Sequence, residues 1–164
     1  MSLADLRKEY GLSGLSEGDA DADPIRQFAV WMDQALAAGL HEPNAMTLAT
    51  ATADGRPAAR MVLLRGFDER GFAFFTNYDS RKGEELAANP RAALVLFWAE
   101  LERQIRIEGS VEKTAAAESD AYYRQRPWES KLGAWASRQS SVIPDRLYLE
   151  QEMRELKARY PEGN

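Results

Sequence analysis

The chain has 164 residues, 45% of them apolar and 29% charged, the balance of a folded domain rather than a disordered one. Its 21 Lys and Arg against 26 Asp and Glu leave a net charge of −5, which argues against a general affinity for nucleic acid. The absence of cysteine removes disulfides, thiolate nucleophiles and Cys-ligated metals, and the single histidine, His41, excludes a two-histidine metal site within one chain. No apolar run approaches the ~20 residues that span a bilayer, and MSLADLRKEYGLSG has no secretory apolar core, so a cytoplasmic protein without a membrane partner is expected.

Residues 1–23 read as a flexible arm, with Gly, Ser and acids over 11–23 and a short basic patch, Arg7-Lys8-Glu9-Tyr10. Residues 24–164 are expected to form one domain. Asp23-Pro24 predicts a helix start, and Ile25, Phe28, Met32, Ala35 and Leu36 give it one apolar face ending near Gly39. The period then changes. Residues 45–53 read as a strand, Asp54-Gly55 as a hairpin turn, 57–67 as the returning strand and 72–77 as a third. Ser80 caps a short helix through Ala88, which Asn89-Pro90 stops. A fourth strand follows over 91–98. Residues 101–113 alternate, with Leu101, Arg103, Ile105, Ile107, Gly109 and Val111 on one face and Glu102, Gln104, Arg106 and Glu108 on the other. Helices return after Thr114, over 130–137 and after Pro144. The order predicts a mainly β fold, an antiparallel barrel or sheet with flanking helices.

Basic and hydroxyl residues gather at element ends. Ser80-Arg81-Lys82 opens a helix directly after a strand, where free N–H groups and the helix dipole suit a phosphate. Arg60 and Arg65 share one strand. Tyr122, Arg126 and Ser130 could converge on a second phosphate, and Gln104 and the Gln139-Ser140 pair could meet the edge of a heterocycle. Each group also fits a solvated helix face, an ordinary basic helix end or a polar loop, and the residues alone leave these readings open.

RKEY, RMVLLRGFDERGFAFFTNYDSRKGEELAANPRAALVLFW, LERQIRIEGSVEK and YYRQRPWESKLGAWASRQSS, taken collinearly, resemble the pyridoxamine 5′-phosphate oxidase family over about Leu6 to Tyr160. The resemblance implies an FMN-binding split β-barrel, a homodimer with the flavin between subunits, and FMN-dependent oxidation of pyridoxamine or pyridoxine 5′-phosphate by O2 to pyridoxal 5′-phosphate and H2O2. The family's FMN contacts fall on Arg60, Met61, Val62, Leu63, Leu64 and Arg65, on Phe75 and Thr76, on Arg81 and Lys82, on Gln104, and on Gln139 and Ser140. Its substrate contacts fall on Tyr122, Arg126 and Ser130, on Arg65, and on Arg7, Lys8, Glu9 and Tyr10 of the arm. No side chain is implied as a catalytic acid, base or nucleophile, and no metal is implied. Arg65 stands where the family commonly has Lys. The chain stops at PEGN where the family continues through a Trp-Gly-Gly turn and an Arg-Leu-His-Asp-Arg motif, so a shortened chain is expected. The alternatives are another split-barrel flavin reductase, a haem-utilisation protein, or a non-catalytic module that binds FMN or pyridoxal phosphate.

Overall fold

The structure, a computed structural model, describes residues 3–5, 9, 11–12 and 14–162. Eleven helices and strands of regular length follow in the order α1 (Pro24–Ala37), β1 (Ala45–Ala51), β2 (Pro57–Leu63), β3 (Gly66–Asp68), β4 (Gly71–Ala73), α2 (Arg81–Ala88), β5 (Arg91–Trp98), β6 (Arg103–Ser110), α3 (Ala116–Gln125), α4 (Trp128–Ala136) and α5 (Arg146–Arg159). Four strands form an open sheet in the order β2-β1-β5-β6, and β3 pairs with β4 in a separate hairpin. Contacts divide the chain into two compact units: Met1–Leu48, Arg60–Phe74 and Leu94–Ile107, and Ala49–Ala59, Phe75–Ala93 and Glu108–Asn164. Among the described residues no helix is long and apolar enough to cross a membrane.

In the first unit α1 starts as its sequence predicts. Asp23 accepts from the Ile25 N–H at 2.8 Å, and Pro24, which has no N–H to lose, takes the first helical position. At the other end Gly39, at φ +67°, lets the Leu40 N–H reach the Ala35 carbonyl and its own N–H reach Leu36, so the last carbonyls are satisfied. The buried face is Phe28, Met32 and Ala35; Leu36, expected with them, is exposed because it stands about 100° past Ala35 around the helix. Phe28 drives edge-on into two rings of the β3–β4 hairpin, Phe67 at 4.8 Å and Phe72 at 4.9 Å. Those two rings are themselves cross-strand partners. Trp98 closes this core and donates its indole N–H to the Pro43 carbonyl at 2.8 Å. The arm is moored here as well: the Gly11 and Leu12 N–H groups both donate to the Glu102 carboxylate, at 2.9 and 3.0 Å.

Four strands are shorter than the sequence suggests: β1 ends at Ala51 rather than at 53, β6 spans Arg103–Ser110 rather than 101–113, and two others are cut more deeply. The strand expected over 57–67 breaks after Leu63, because Asn44 takes both backbone groups of Leu64: its carbonyl accepts the Leu64 N–H and its side-chain amide donates to the Leu64 carbonyl. Arg65 then opens the second hairpin by donating its N–H to the Ala73 carbonyl. The strand expected over 72–77 ends at Ala73 for want of a further partner in that hairpin.

In the second unit β1 and β2 are joined through Gly55, at φ +86°, whose N–H bonds the Thr52 carbonyl. Helix α2 is stopped at Asn89, whose side-chain amide donates to the Ala51 carbonyl. Helices α4 and α5 pack together. Trp128 donates its indole N–H to the Tyr160 carbonyl at 3.0 Å, and Lys157 lies over the Trp128 ring and bonds Glu129. The Lys157 ammonium holds the Glu129 carboxyl below its ordinary range, first by hydrogen bonding and then by charge.

Candidate functional site

The N-terminus of α2 is built by a chain that folds tightly back before the helix begins. Asn77 accepts the Asp79 N–H on its side chain, and its carbonyl accepts both the Ser80 N–H and the Ser80 hydroxyl. Ser80 is fully buried and caps the helix, with its oxygen facing the Gly83 N–H. Gly83 is required here by close approach, since a Cβ on it would fall 2.2 Å from the Tyr78 carbonyl oxygen.

Lys82, in the first turn, is only 9% exposed, an uncommon place for an ammonium. Its Nζ donates to Gln139 Oε1 at 2.7 Å and lies 3.4 Å from Ser80 Oγ. Gln139 is presented by the turn after α4, in which the Ser141 N–H bonds the Arg138 carbonyl and Ser140 takes the left-handed φ of +71°. A serine held in that region is a strained residue of the kind that gathers at ligand sites. Beside Lys82, Arg81 points toward solvent and is bound through Nε to Glu85 Oε1 at 2.8 Å; Glu85 is buried and also accepts the Thr50 hydroxyl.

Two further features of this unit concern ring and hydroxyl ligands. Phe75 and Tyr122 stack in parallel, with centroids 3.9 Å apart and planes 4° from coincidence. Thr76 has a buried hydroxyl with no hydrogen-bond partner among the described residues. Leaving such a group unpaired costs about 1–3 kcal/mol, so a ligand atom that bonds it gains that much. Arg126 is the C-cap of α3, with extended backbone, and Ser130 lies in the first turn of α4; both are half-buried. Tyr123 donates its hydroxyl to the Lys131 carbonyl and accepts from the Trp135 indole, tying α3 to α4 next to Tyr122.

The remaining predicted residues among those described stand in the first unit. Arg60 on β2 donates to the Leu48 carbonyl at 3.4 Å, Met61 is exposed, Val62 and Leu63 are half-buried, Leu64 is buried and Arg65 is exposed. Gln104 lies on the exposed face of β6, as the alternation predicts. Glu9 is exposed, while Arg7, Lys8 and Tyr10 lie outside the described residues. The structure therefore joins Lys82 to Gln139 across 57 residues and Phe75 to Tyr122 across 47, within one unit. Sequence reasoning missed Glu85 and Thr50. The only local signal was the four-residue step from Arg81 to Glu85.

The family profile described as pyridoxamine 5′-phosphate oxidase matches residues 32–160. The chain belongs to this family. The pyridoxine/pyridoxamine 5′-phosphate oxidase of Trichormus variabilis is 62% identical over 159 residues, 97% of this chain and 74% of that protein. The protein of the same name from Cupriavidus pinatubonensis is 61% identical over 161 residues, 98% of this chain and 76% of that one. Among solved structures, PhzG from Burkholderia lata in complex with tetrahydrophenazine-1-carboxylic acid superposes with a TM-score of 0.85 at 34% identity, covering 90% of this chain and 74% of PhzG. A pyridoxamine 5′-phosphate oxidase-related, FMN-binding protein of Nostoc punctiforme shares the fold, with a TM-score of 0.62 at 20% identity over 80% of this chain and 73% of that one. The expected fold, antiparallel strands of a split barrel with flanking helices, is the one found, and its four-stranded sheet is open.

Proposed function

We propose that this chain binds FMN and oxidises pyridoxamine or pyridoxine 5′-phosphate to pyridoxal 5′-phosphate. The amine reacts with water and O2 to give the aldehyde, ammonia and H2O2; the alcohol reacts with O2 to give the aldehyde and H2O2. The observation that carries the reading is the Lys82–Gln139 pair at the start of α2, a buried cation at a helix N-terminus, in a chain whose relatives are named as this oxidase.

The residues present fit FMN. The unpartnered Thr76 hydroxyl offers a donor and acceptor, and Lys82 and Arg81 offer charge to a phosphate. FMN, when bound, supplies the two-electron acceptor. Gln139 and Ser140 would hold the edge of the ring system, and the Phe75–Tyr122 stack would form an apolar wall that excludes water. Tyr122, Arg126 and Ser130 would hold the phosphate of the substrate. The chain's only imidazole, His41, is almost wholly exposed and has no role in this reading.

The same reading includes a homodimer. Strand β5 buries Leu94, Leu96 and Trp98 on one face and presents Val95 and Phe97 on the other, with Phe97 62% exposed. Met61 on β2, 63% exposed, and Thr47 on β1 line the same concavity of about 330 Å³. An outer sheet face facing water is ordinarily polar, and this one suits a second copy. Phe97→Asp should convert a dimer to a monomer in sedimentation, and a wild-type monomer at micromolar concentration would refute it.

A second reading follows from PhzG: a tricyclic carboxylic acid in place of the vitamin B6 phosphate. The deciding experiment adds pyridoxamine 5′-phosphate, or a reduced phenazine carboxylic acid, to flavin-loaded protein and follows H2O2. Peroxide with the first alone supports the proposal, peroxide with the second alone supports the PhzG-like reading, and none with either leaves a non-catalytic flavin module.

A further inference from the structure

Glu85 has no part in the reading above, yet it is among the most buried charged residues described. It is 5% exposed, on the second turn of α2. Carboxylates this buried are found where something holds them, and two holders are seen here. Thr50 of β1 donates its hydroxyl to Oε2, and Arg81 donates Nε to Oε1 at 2.8 Å. A pair at this helical spacing contributes little when both partners sway in water. This one differs, because one partner is buried and bonded from behind while the other is 60% exposed. The carboxylate is a fixed post and the guanidinium is tied to it. The tie engages Nε, so the plane of the guanidinium is set and its terminal N–H groups extend past the bond.

We propose that Glu85, backed by Thr50, is a positioning residue for the flavin phosphate: it pre-orders Arg81 so that the terminal N–H groups close on the anion without first losing side-chain freedom. The inference rests on the reading that the start of α2 receives the FMN phosphate. An unpaired Arg81 would lose its rotamer freedom on binding, which weakens the complex, and a preset one would not. The opposing effect is repulsion between the Glu85 charge and the phosphate. Pre-ordering dominates if neutralising Glu85 weakens FMN binding.

The test is fluorescence titration of the full chain with FMN and with riboflavin, which lacks the phosphate. The wild type should prefer FMN. Glu85→Gln should weaken FMN binding by about tenfold and change riboflavin by less than about twofold. Thr50→Val, which keeps the volume and removes the hydroxyl, should act in the same direction by about threefold, and it carries the test if Glu85→Gln fails to fold. In an Arg81→Ala background Glu85→Gln should have no further effect. Equal losses for both flavins would make Glu85 merely structural, additivity with Arg81→Ala would show that it does not act through the arginine, and tighter FMN binding would show that repulsion wins; each overturns the inference. A wild type with no preference for FMN would overturn the phosphate reading itself, whereas a preference that survives Glu85→Gln overturns only the role of Glu85.

Discussion

Replacing Lys82 by Met keeps the length of the buried stem and removes the ammonium. The structure sets two separate expectations. For the protein without ligand, the variant no longer holds a charge in a place 9% exposed, and the Gln139 amide that loses its partner is exposed enough for water to replace it. Stability should therefore stay within about 1 kcal/mol, or about 2–4 °C in melting temperature for a chain of this size. For FMN, one charge-assisted contact to the phosphate disappears, and such contacts contribute about 1.5–3 kcal/mol, a factor of roughly 10–150 in affinity. Riboflavin should bind the variant as it binds the wild type. The assay is flavin titration beside thermal melting on the same preparations. Unchanged FMN affinity would refute the placement of the phosphate at α2, and a melting temperature lowered by more than about 10 °C would show that Lys82 is needed for the fold instead.

Gly83→Ala places a methyl group 2.2 Å from the Tyr78 carbonyl oxygen, so the loop before α2 must move; urea denaturation should show a loss of about 1–3 kcal/mol, and no loss would mean that the loop yields freely. Arg126→Ala should leave the flavin content near normal and weaken pyridoxal 5′-phosphate by about 1.5–3 kcal/mol while sparing unphosphorylated pyridoxal; equal losses for both would return Arg126 to an ordinary helix cap. Glu129 has its carboxyl lowered below the ordinary 4.5 by Lys157, so the α4–α5 contact should contribute stability above that pH and lose it as the pH falls through the lowered folded value. NMR titration of the Glu129 carboxyl should give a midpoint below the ordinary one, and Lys157→Met should restore it.

What was legible in the sequence was what is decided locally. Asp23-Pro24 and Ser80 act through neighbours within four residues, and α1 and α2 begin where those signals place them. The alternation of β6 is readable because its two faces meet different surroundings. The break after Leu63 was not readable, because the groups that end the strand belong to Asn44, twenty residues earlier. The same holds in the site. Ser80, Arg81 and Lys82 were visible as a cluster, but the bond from Lys82 to Gln139 and the parallel stack of Phe75 on Tyr122 depend on the path of the chain between them. Glu85 looked like one more acid on a charged helix, because nothing near it in sequence reveals that Thr50 stands behind it.

Strand β5 also bears on how the chain avoids pairing wrongly. In most half-buried strands a slip by one residue turns the apolar side chains to water, and that cost fixes the alignment with the neighbours. RAALVLFW is apolar on both sides, so a slip exchanges Leu94, Leu96 and Trp98 for Val95 and Phe97 and leaves the hydrophobic pattern intact. Alignment must come from something that does not repeat every second residue. Trp98 provides it: its indole N–H meets the Pro43 carbonyl in the true alignment alone, and a slip would strand a buried donor. The indole is thus a register pin as well as core filling, and Trp98→Phe would fill most of the same space while removing the pin. The mismatch would surface during refolding, as a population of misaligned chains, before it surfaced in the stability of those that fold correctly.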